Sequence, residues 1–342
     1  MKTADFEFRV PERLIPSVPR ELRGKRRDDA RLAVLDRAKG TVEHAAFRDL
    51  KSWLHGGDAL VVNNSLVMHD RLEGECADGK VALVLFGQHP EGWLARVQPA
   101  RHARRGCSIR IGGGEVRAVL VKPGAGGLWV VRFEFSGDFH GVLRRFGRRH
   151  ASALHYLSKR MESYRNVYAT EPGSLEIPSA GLHFTHDILA QLKRKRVGIV
   201  PITLHIGLSE MHRHISARNI EDHKVGAEWY RVTDASARAL NATRRRGGRI
   251  CAVGTTSIRT LETVARRGKP FGAREGWSDL FIHPGYRYKA VDAMLTNLHQ
   301  PRSSHLMLVA AFAGKEFTLA AYHEIVREKY RFDLFGDSML IV

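Results

Sequence analysis

Between residues 67 and 135 the chain is a succession of short strand-like runs cut by glycine- and proline-rich turns. The runs are VALVLF at 81–86, GWLARV at 92–97, SIRI at 108–111, EVRAVLV at 115–121 and LWVVRFEF at 128–135. GQHPEG, IGGGE and KPGAGG separate them. Glycine reaches φ > 0 and proline fixes φ, so such segments reverse the chain within a few residues. With little room for helix between the runs, this zone predicts an all-β barrel. The GGGE cluster reads as a hairpin turn rather than a phosphate loop, because strand-like runs flank it on both sides.

The flanking zones have a different texture. Arg31–Asp36 is a short apolar strand, Phe47–Leu54 has helical spacing, and Asp58–Asn64 reads as a buried strand ending in two asparagines. Further on, a helix near Asp187–Lys195 leads to strand Gly198–Leu204, and a helix near Asp234–Arg246 leads to strand Arg249–Val253. Another helix begins near Ile258, and a last one covers Leu319–Lys329. Such alternation implies a sheet or open barrel backed by helices. The expected organisation is therefore one discontinuous α/β domain, residues 1–66 and 136–342, with an all-β unit at 67–135 inserted into it. A length of 342 residues suits one large domain carrying a smaller one.

Lys plus Arg number 55 against 36 Asp plus Glu, a formal charge of +19. That excess favours a polyanionic partner through phosphate contacts and counterion release. The basic groups are scattered, at 20–27, 101–105, 144–149, 193–196 and 244–249, which suits a broad folded footprint better than a basic tail. No apolar run approaches the roughly 20 residues that span a bilayer, and MKTADFEFRV has no signal-peptide core. A soluble cytoplasmic protein, a monomer or weak oligomer, is expected. The three cysteines, Cys76, Cys107 and Cys251, form no CxxC pattern. This argues against a zinc ribbon, an iron–sulfur cluster and a disulfide framework, and no metal is expected.

Several segments have the residue types of a site. In PSAGLHF (178–184), a tight turn before a helix leaves backbone N–H groups at Ser179, Ala180, Gly181 and Leu182 for a carboxylate or ribose oxygens, with His183 as acid, base or donor and Phe184 beside it. TLHIG, Thr203 to Gly207 with His205, sits at a strand end, where α/β proteins place ligands. Glu221 and His223 form an acid/base candidate pair. In AVGTTSIRTLE, Gly254, Thr255, Thr256 and Ser257 make a small cradle at a helix start, and Arg259 and Glu262 share a helix face. A plain N-cap with a surface ion pair would read the same way. Gly285, Asn297 and His299 stand out in HPGYRYKAVDAMLTNLH at 283–299. There Tyr286 and Tyr288 alternate with Arg287 and Lys289, a pattern for base stacking or for packing of one strand face. Asn63 and Asn64 close an apolar strand, and Arg71 follows as a carboxylate or phosphate partner.

Taken together and in order, these segments resemble the S-adenosylmethionine:tRNA ribosyltransferase-isomerase family of queuosine biosynthesis. The matching stretches are VVNNSLVMHDRL (61–72), VYATEPGSLEIPSAGLHF (167–184), ITLHIG (202–207), IEDHKV (220–225), AVGTTSIRTLE (252–262), FIHPGYRYKAVDAMLTNLHQP (281–301), LMLVAAFAG (306–314) and EKYRFDLFGDSML (328–340). The resemblance implies a discontinuous α/β open-barrel domain with an inserted Greek-key β-barrel. It implies S-adenosylmethionine as a substrate, no metal, and tRNA as partner through the anticodon region. The implied reaction moves the ribosyl portion of S-adenosylmethionine to the aminomethyl group of 7-aminomethyl-7-deazaguanine, releasing adenine and methionine and giving epoxyqueuosine.

A sulfonium acidifies the neighbouring C5′ protons, so a base of tuned pKa in a water-poor site would start the reaction. His183, His205, Glu221, His223 and His299 are the candidates, with His183 and His205 expected to line the S-adenosylmethionine site. The chain departs from the family pattern at 147–157, GRRHASALHYL in place of a proline-rich stretch, and at 208–211, LSEM in place of a small loop. Those departures keep open an enzyme of the same family with another acceptor. A non-catalytic RNA-binding protein on the same scaffold is a third reading, disfavoured by the retained His, Glu and Gly-Thr-Thr-Ser elements.

Overall fold

The computed structural model of the chain describes residues 1–148, 161–207, 212–266, 268 and 270–342. In chain order, β1 (Arg31–Asp36), β2 (Thr41–Ala46), β3 (Ala59–Asn63) and β4 (Ser65–Val67) precede a small barrel. The barrel is built from β5 (Arg71–Cys76), β6 (Gly79–His89), β7 (Gly92–Gln98), β8 (Ser108–Ile111), β9 (Val116–Pro123) and β10 (Trp129–Glu134). All its pairings are antiparallel, in the order β5-β6-β7-β10-β9-β8, and β8 returns to β5 through Gly74↔Ile111 and Glu75↔Arg110 to close it. Leu72, Leu83, Leu85, Val97, Ile109, Ile111, Ala118, Leu120 and Val131 fill the interior, as the period-two alternation of the runs requires.

Five of the six barrel strands coincide with the apolar runs. The sixth, β5, was not anticipated: RLEGEC carries too few apolar side chains to display the alternation. Helix α1 (Phe139–Phe146) was not anticipated either. It places Val142 and Leu143 in the barrel core, and the short β11 (Gly147–Arg148) pairs with β5.

The rest of the chain supplies β12 (Glu171–Ser174), α2 (His186–Arg194), β13 (Gly198–Leu204), β14 (Glu228–Val232), α3 (Asp234–Arg245), β15 (Ile250–Val253), α4 (Gly254–Ala265), β16 (Arg274–Ser278), β17 (Ala293–Asn297), α5 (Ser304–Ala313), α6 (Lys315–Arg327) and β18 (Ser338–Ile341). Nine of the strands form a mixed sheet in the order β16-β14-β13-β3-β15-β17-β18-β1-β2. Its centre, β13-β3-β15-β17, is parallel. β4 and β12 pair separately, also in parallel. Central strands buried on both faces read as continuous apolar runs. Accordingly Ala59, Val61, Ile250 and Ala252 face one core with α3 to α6, while Leu60, Val62, Cys251 and Val253 face another with α2.

Three elements differ most from the sequence expectation. The helix expected near Ile258 starts at Gly254, because Gly254 at φ 80° turns strand β15 directly into α4 with no intervening loop. Phe47–Leu54 is a 3-10 segment over Phe47–Ser52; buried Phe47 and Leu50 lie three apart, the repeat that a 3-10 turn stacks on one side. The last helix begins at Lys315, directly after Gly314 at φ 88° separates it from α5. Among the described residues, no helix is long and apolar enough to cross a membrane.

Asp58 ties the starts of β3 and β15 together. Its carboxylate accepts from the His55 and Arg249 amides at 2.9 Å each and from the Arg249 guanidinium at 2.8 Å. Burial opposes the charge, but these donors outweigh it and hold the carboxyl below its ordinary value. A depressed carboxyl stabilises the fold above its unfolded pKa of about 4, and that stability is lost as pH falls through the lower folded value. Asp58→Asn is therefore expected to cost about 1–3 kcal/mol near neutrality, measured by urea unfolding. The gap to the parent should close as both are titrated below pH ~4.

Candidate functional site

The four parallel central strands end on one side, and a cleft opens there. Asn63 ends β3, Val253 and Gly254 join β15 to α4, Thr296 and Asn297 end β17, and Ile206 follows β13; all line the cleft. Ligands collect at this position in α/β sheets because strand ends and helix starts converge there. The enclosed part of the cleft is small, about 50 Å³, and the remainder opens to solvent.

One wall is the first turn of α4. No side chain caps this helix, and Gly254, Thr255 and Thr256 face the cleft, so backbone donors and hydroxyls are presented together. Asn63 fixes that wall: its amide donates to the Leu204 carbonyl at 2.9 Å and to Thr256 Oγ1 at 3.1 Å, while its oxygen accepts from the Ser65 and Leu204 amides.

The opposite wall is the turn Pro178–Ala180. Gly181 lets this turn pack, since a Cβ there would lie 2.1 Å from the Tyr168 hydroxyl and 2.4 Å from Asn166 Nδ2. Asn297 stitches the turn to the C-terminal segment, donating to Ser179 Oγ at 3.4 Å and to the Asp333 and Leu334 carbonyls at 3.0 and 3.1 Å.

A charged and imidazole-rich corner completes the cleft. Arg213 meets Asp333 in a bidentate pair at 3.0 and 3.2 Å. His299 lies beside them, its Nε2 3.1 Å from Thr296 Oγ1 and its ring 5.1 Å from that of His305. Burial, then the charges of His305 and Arg213, hold His299 well below the ordinary histidine value. It is therefore a neutral imidazole at pH 7.

A sequence model described as "Queuosine biosynthesis protein" matches residues 3–341. The chain belongs to this family. Curated queuosine-family relatives from two Clostridium kluyveri strains, each named S-adenosylmethionine:tRNA ribosyltransferase-isomerase, are 40% identical over 347 residues and cover 100% of both chains. A crystal structure of S-adenosylmethionine tRNA ribosyltransferase from Thermotoga maritima matches with a TM-score of 0.57 and 35% identity, covering 99% of this chain and 100% of that one.

Of the residues singled out from sequence, this queuosine-family cleft gathers Asn63, Ser179, Ala180, Gly254, Thr255, Thr256, Arg259, Asn297 and His299. Tyr168, Glu176, Arg213, His305 and Asp333 also line it and were missed. Arg259 is saturated from behind, bonded to Glu228 and to the Leu280 and Ser278 carbonyls. Ser257, expected in the same cradle, is fully buried and is not among the lining residues.

His183 and His205 do not line the cleft. His183 is buried on the far side of the 178–184 turn, beside Phe47 and above a small recess with Arg20 and Phe335. Burial, helped by the Arg20 charge, takes it down to about 4. Leu182 and Phe184 are core residues there. His205 stacks on Trp229 with ring centroids 5.0 Å apart and bonds Ser65 Oγ at 2.7 Å; burial and then Arg231 take it to about 4. Its neighbours Thr203 and Gly207 bond Asn64 and Glu228.

Glu221 and His223 are not paired with each other. Exposed Glu221 holds the N-terminal ammonium at 2.7 Å, and His223 packs on Phe281. Glu262 is fully buried and, contrary to the surface ion-pair reading, bonds backbone amides rather than Arg259. Tyr286 and Tyr288 lie outside any strand; their rings pack edge to face at 5.4 Å, and their hydroxyls bond Glu262 and the Leu308 carbonyl. Gly285 occupies an exposed turn at φ 99°. Arg71 lies on the barrel, bonded to Gln98 and Glu73. Of the two departing segments at 147–157 and 208–211, only Gly147 and Arg148 are among the described residues.

Proposed function

We infer that this chain is an S-adenosylmethionine:tRNA ribosyltransferase-isomerase, transferring the ribosyl group to 7-aminomethyl-7-deazaguanine in tRNA and releasing adenine and methionine. The full-length identity of 40% to relatives of that name carries the reading. The queuosine-family motifs converging on one cleft support it.

In this reading S-adenosylmethionine occupies the cleft. The α4 start, Thr255 and Thr256 receive its carboxylate or ribose oxygens. Of the five candidate bases, His299 alone lines the cleft among the described residues, and it is neutral. It takes a C5′ proton next to the sulfonium; the resulting ylide expels adenine as the ribose ring opens. His299 passes that proton to the departing adenine. The aminomethyl nitrogen of the acceptor adds to the vinyl sulfonium left behind, and the new carbanion closes on the C1′ aldehyde. The alkoxide so formed displaces methionine as a thioether, leaving the epoxide and a protonated secondary amine. Burial of the corner keeps water from quenching the ylide. Among the described residues no group of three His, Cys, Asp or Glu is arranged to hold a metal ion, and the step as written uses none.

The domain reading belongs to the same proposal: an α/β open barrel from 1–66 and 136–342 interrupted by a Greek-key unit. The spatial order β8-β5-β6-β7, with the fourth strand beside the first, supports the Greek key. The packing of α1 and β11 on the barrel supports extending the inserted unit from 135 to Arg148. The charge of +19 supports docking of a tRNA anticodon region, and we assign the protein to the cytoplasm, where tRNA is modified, as a monomer or weak oligomer.

The test is a product assay with S-adenosylmethionine and tRNA carrying the aminomethyl base. Adenine and methionine are expected in equal amounts with modified tRNA. Adenine release with unmodified tRNA would refute the acceptor, and no release would refute the activity.

A further inference from the structure

At one end of the small barrel, away from the cleft, two thiols and an imidazole meet. Cys76 ends β5 and Cys107 immediately precedes β8. Glu75, next to Cys76, faces Arg110, three residues past Cys107, across the β5–β8 seam. Both cysteines pack in the same apolar cluster, and Cys76 Sγ lies 3.9 Å from His102 Nδ1. Cys76 is half-buried, whereas Cys107 and His102 are buried. This is the arrangement of an accessible attacking thiol, a base beside it and a sheltered partner thiol. The trio is not arranged to hold a metal ion. The seam it flanks is the one that closes the barrel, and β5 and β8 share only two residue pairs there.

We propose that Cys76 and Cys107 are a reactive dithiol that closes to a disulfide across the β5–β8 seam when a small-molecule disulfide, such as oxidised glutathione, is present. Cys76 gives its proton to His102, and its thiolate attacks one sulfur of the oxidant. The oxidant's S–S bond breaks, a mixed disulfide forms, and the first glutathione leaves, taking up a proton. Cys107 then attacks Cys76 Sγ and displaces the second glutathione, which carries away the other proton. Two protein thiols are oxidised and one oxidised glutathione becomes two reduced ones. Burial raises the Cys107 thiol, which suits it to the second step rather than the first.

The experiment treats the folded full-length protein with oxidised glutathione, then denatures, alkylates and weighs it. Of the three cysteines, two are expected to lose alkylation and to regain it after dithiothreitol. Cys251, fully buried in β15, keeps its alkylation. Cys107→Ser should instead retain one glutathione on Cys76, and Cys76→Ser should form neither product. His102→Gln should slow closure at pH 7 about fivefold or more, since the proton acceptor beside Cys76 Sγ is lost. Closure should also raise the melting temperature reversibly, because a cross-link restrains the unfolded chain. Three alkylated thiols after treatment, or stoichiometric zinc bound to the protein as purified and released on blocking Cys76 and Cys107, would overturn the proposal.

Discussion

Replacing His299 with alanine is expected to lower kcat about 10²–10⁴-fold, the range for loss of a general base. The side chain is 9% exposed and lies against Thr296 and His305 rather than inside a hydrophobic cluster, so the fold should survive and circular dichroism should be unchanged. The pH profile separates a base from a packing residue. Burial and the neighbouring His305 and Arg213 lower this imidazole well below its ordinary value of about 6.5. A base works deprotonated, so activity is lost as pH falls through the lowered pKa. The acid limb of kcat/KM should therefore lie well below pH ~6.5, with a plateau through neutrality. A limb at or above the ordinary value, or an alanine variant with parental kcat, would move the base elsewhere. Arg213→Ala should sharpen the comparison. It removes a cation that disfavours protonation, so the limb should shift toward higher pH.

Much of this layout was legible because apolar patterning reports burial. The strands SIRI at 108–111 and Gly198–Leu204 have the boundaries read from sequence, since each is bounded by turn or helix residues. Strand β5 was hidden because its outer face carries Arg71, Glu73 and Glu75 and its inner face includes Gly74, leaving little alternation to see. The cleft was legible where its residues end apolar strands: Asn63, Gly254, Asn297 and, just beyond, His299. Arg213 and Asp333 were not, because they come from segments far apart in sequence, and only the folded chain brings them together. Asp333 adopts φ 67°, a conformation uncommon for a non-glycine residue. The stretch YRFDLFGD was nevertheless a pointer, as part of the family resemblance. Adjacency to a motif says nothing about side-chain direction, and His183 and His205 are not among the residues lining this cleft. Their rings pack against Phe47 and Trp229 respectively.

Glu262→Ala is expected to destabilise the protein more than any cleft substitution. The carboxylate is fully buried on α4. It accepts from the Lys289, Ala290 and Val291 amides and from the Tyr286 hydroxyl, at 2.9 to 3.2 Å. These donors belong to the segment 286–291, which has no strand or helix to satisfy its own backbone. Each donor left unpaired in a buried site costs about 1–3 kcal/mol. The losses overlap as the segment relaxes, so about 3–5 kcal/mol in total is expected, close to the cost of breaking a buried ion pair. Against a domain stability of about 5–15 kcal/mol that is a large fraction, and the melting temperature should fall by roughly 6–10 °C. Glu262→Gln keeps the shape and one acceptor but turns an NH₂ toward the donors, so its loss should be smaller. A side chain that contacted substrate would behave oppositely, raising KM while leaving the melting temperature unchanged. Because α4 also forms the cleft wall at its other end, the glutamine variant has a second consequence. At temperatures where it remains folded, its KM should stay near parental, since Thr256 in that wall bonds Asn63 and not Glu262.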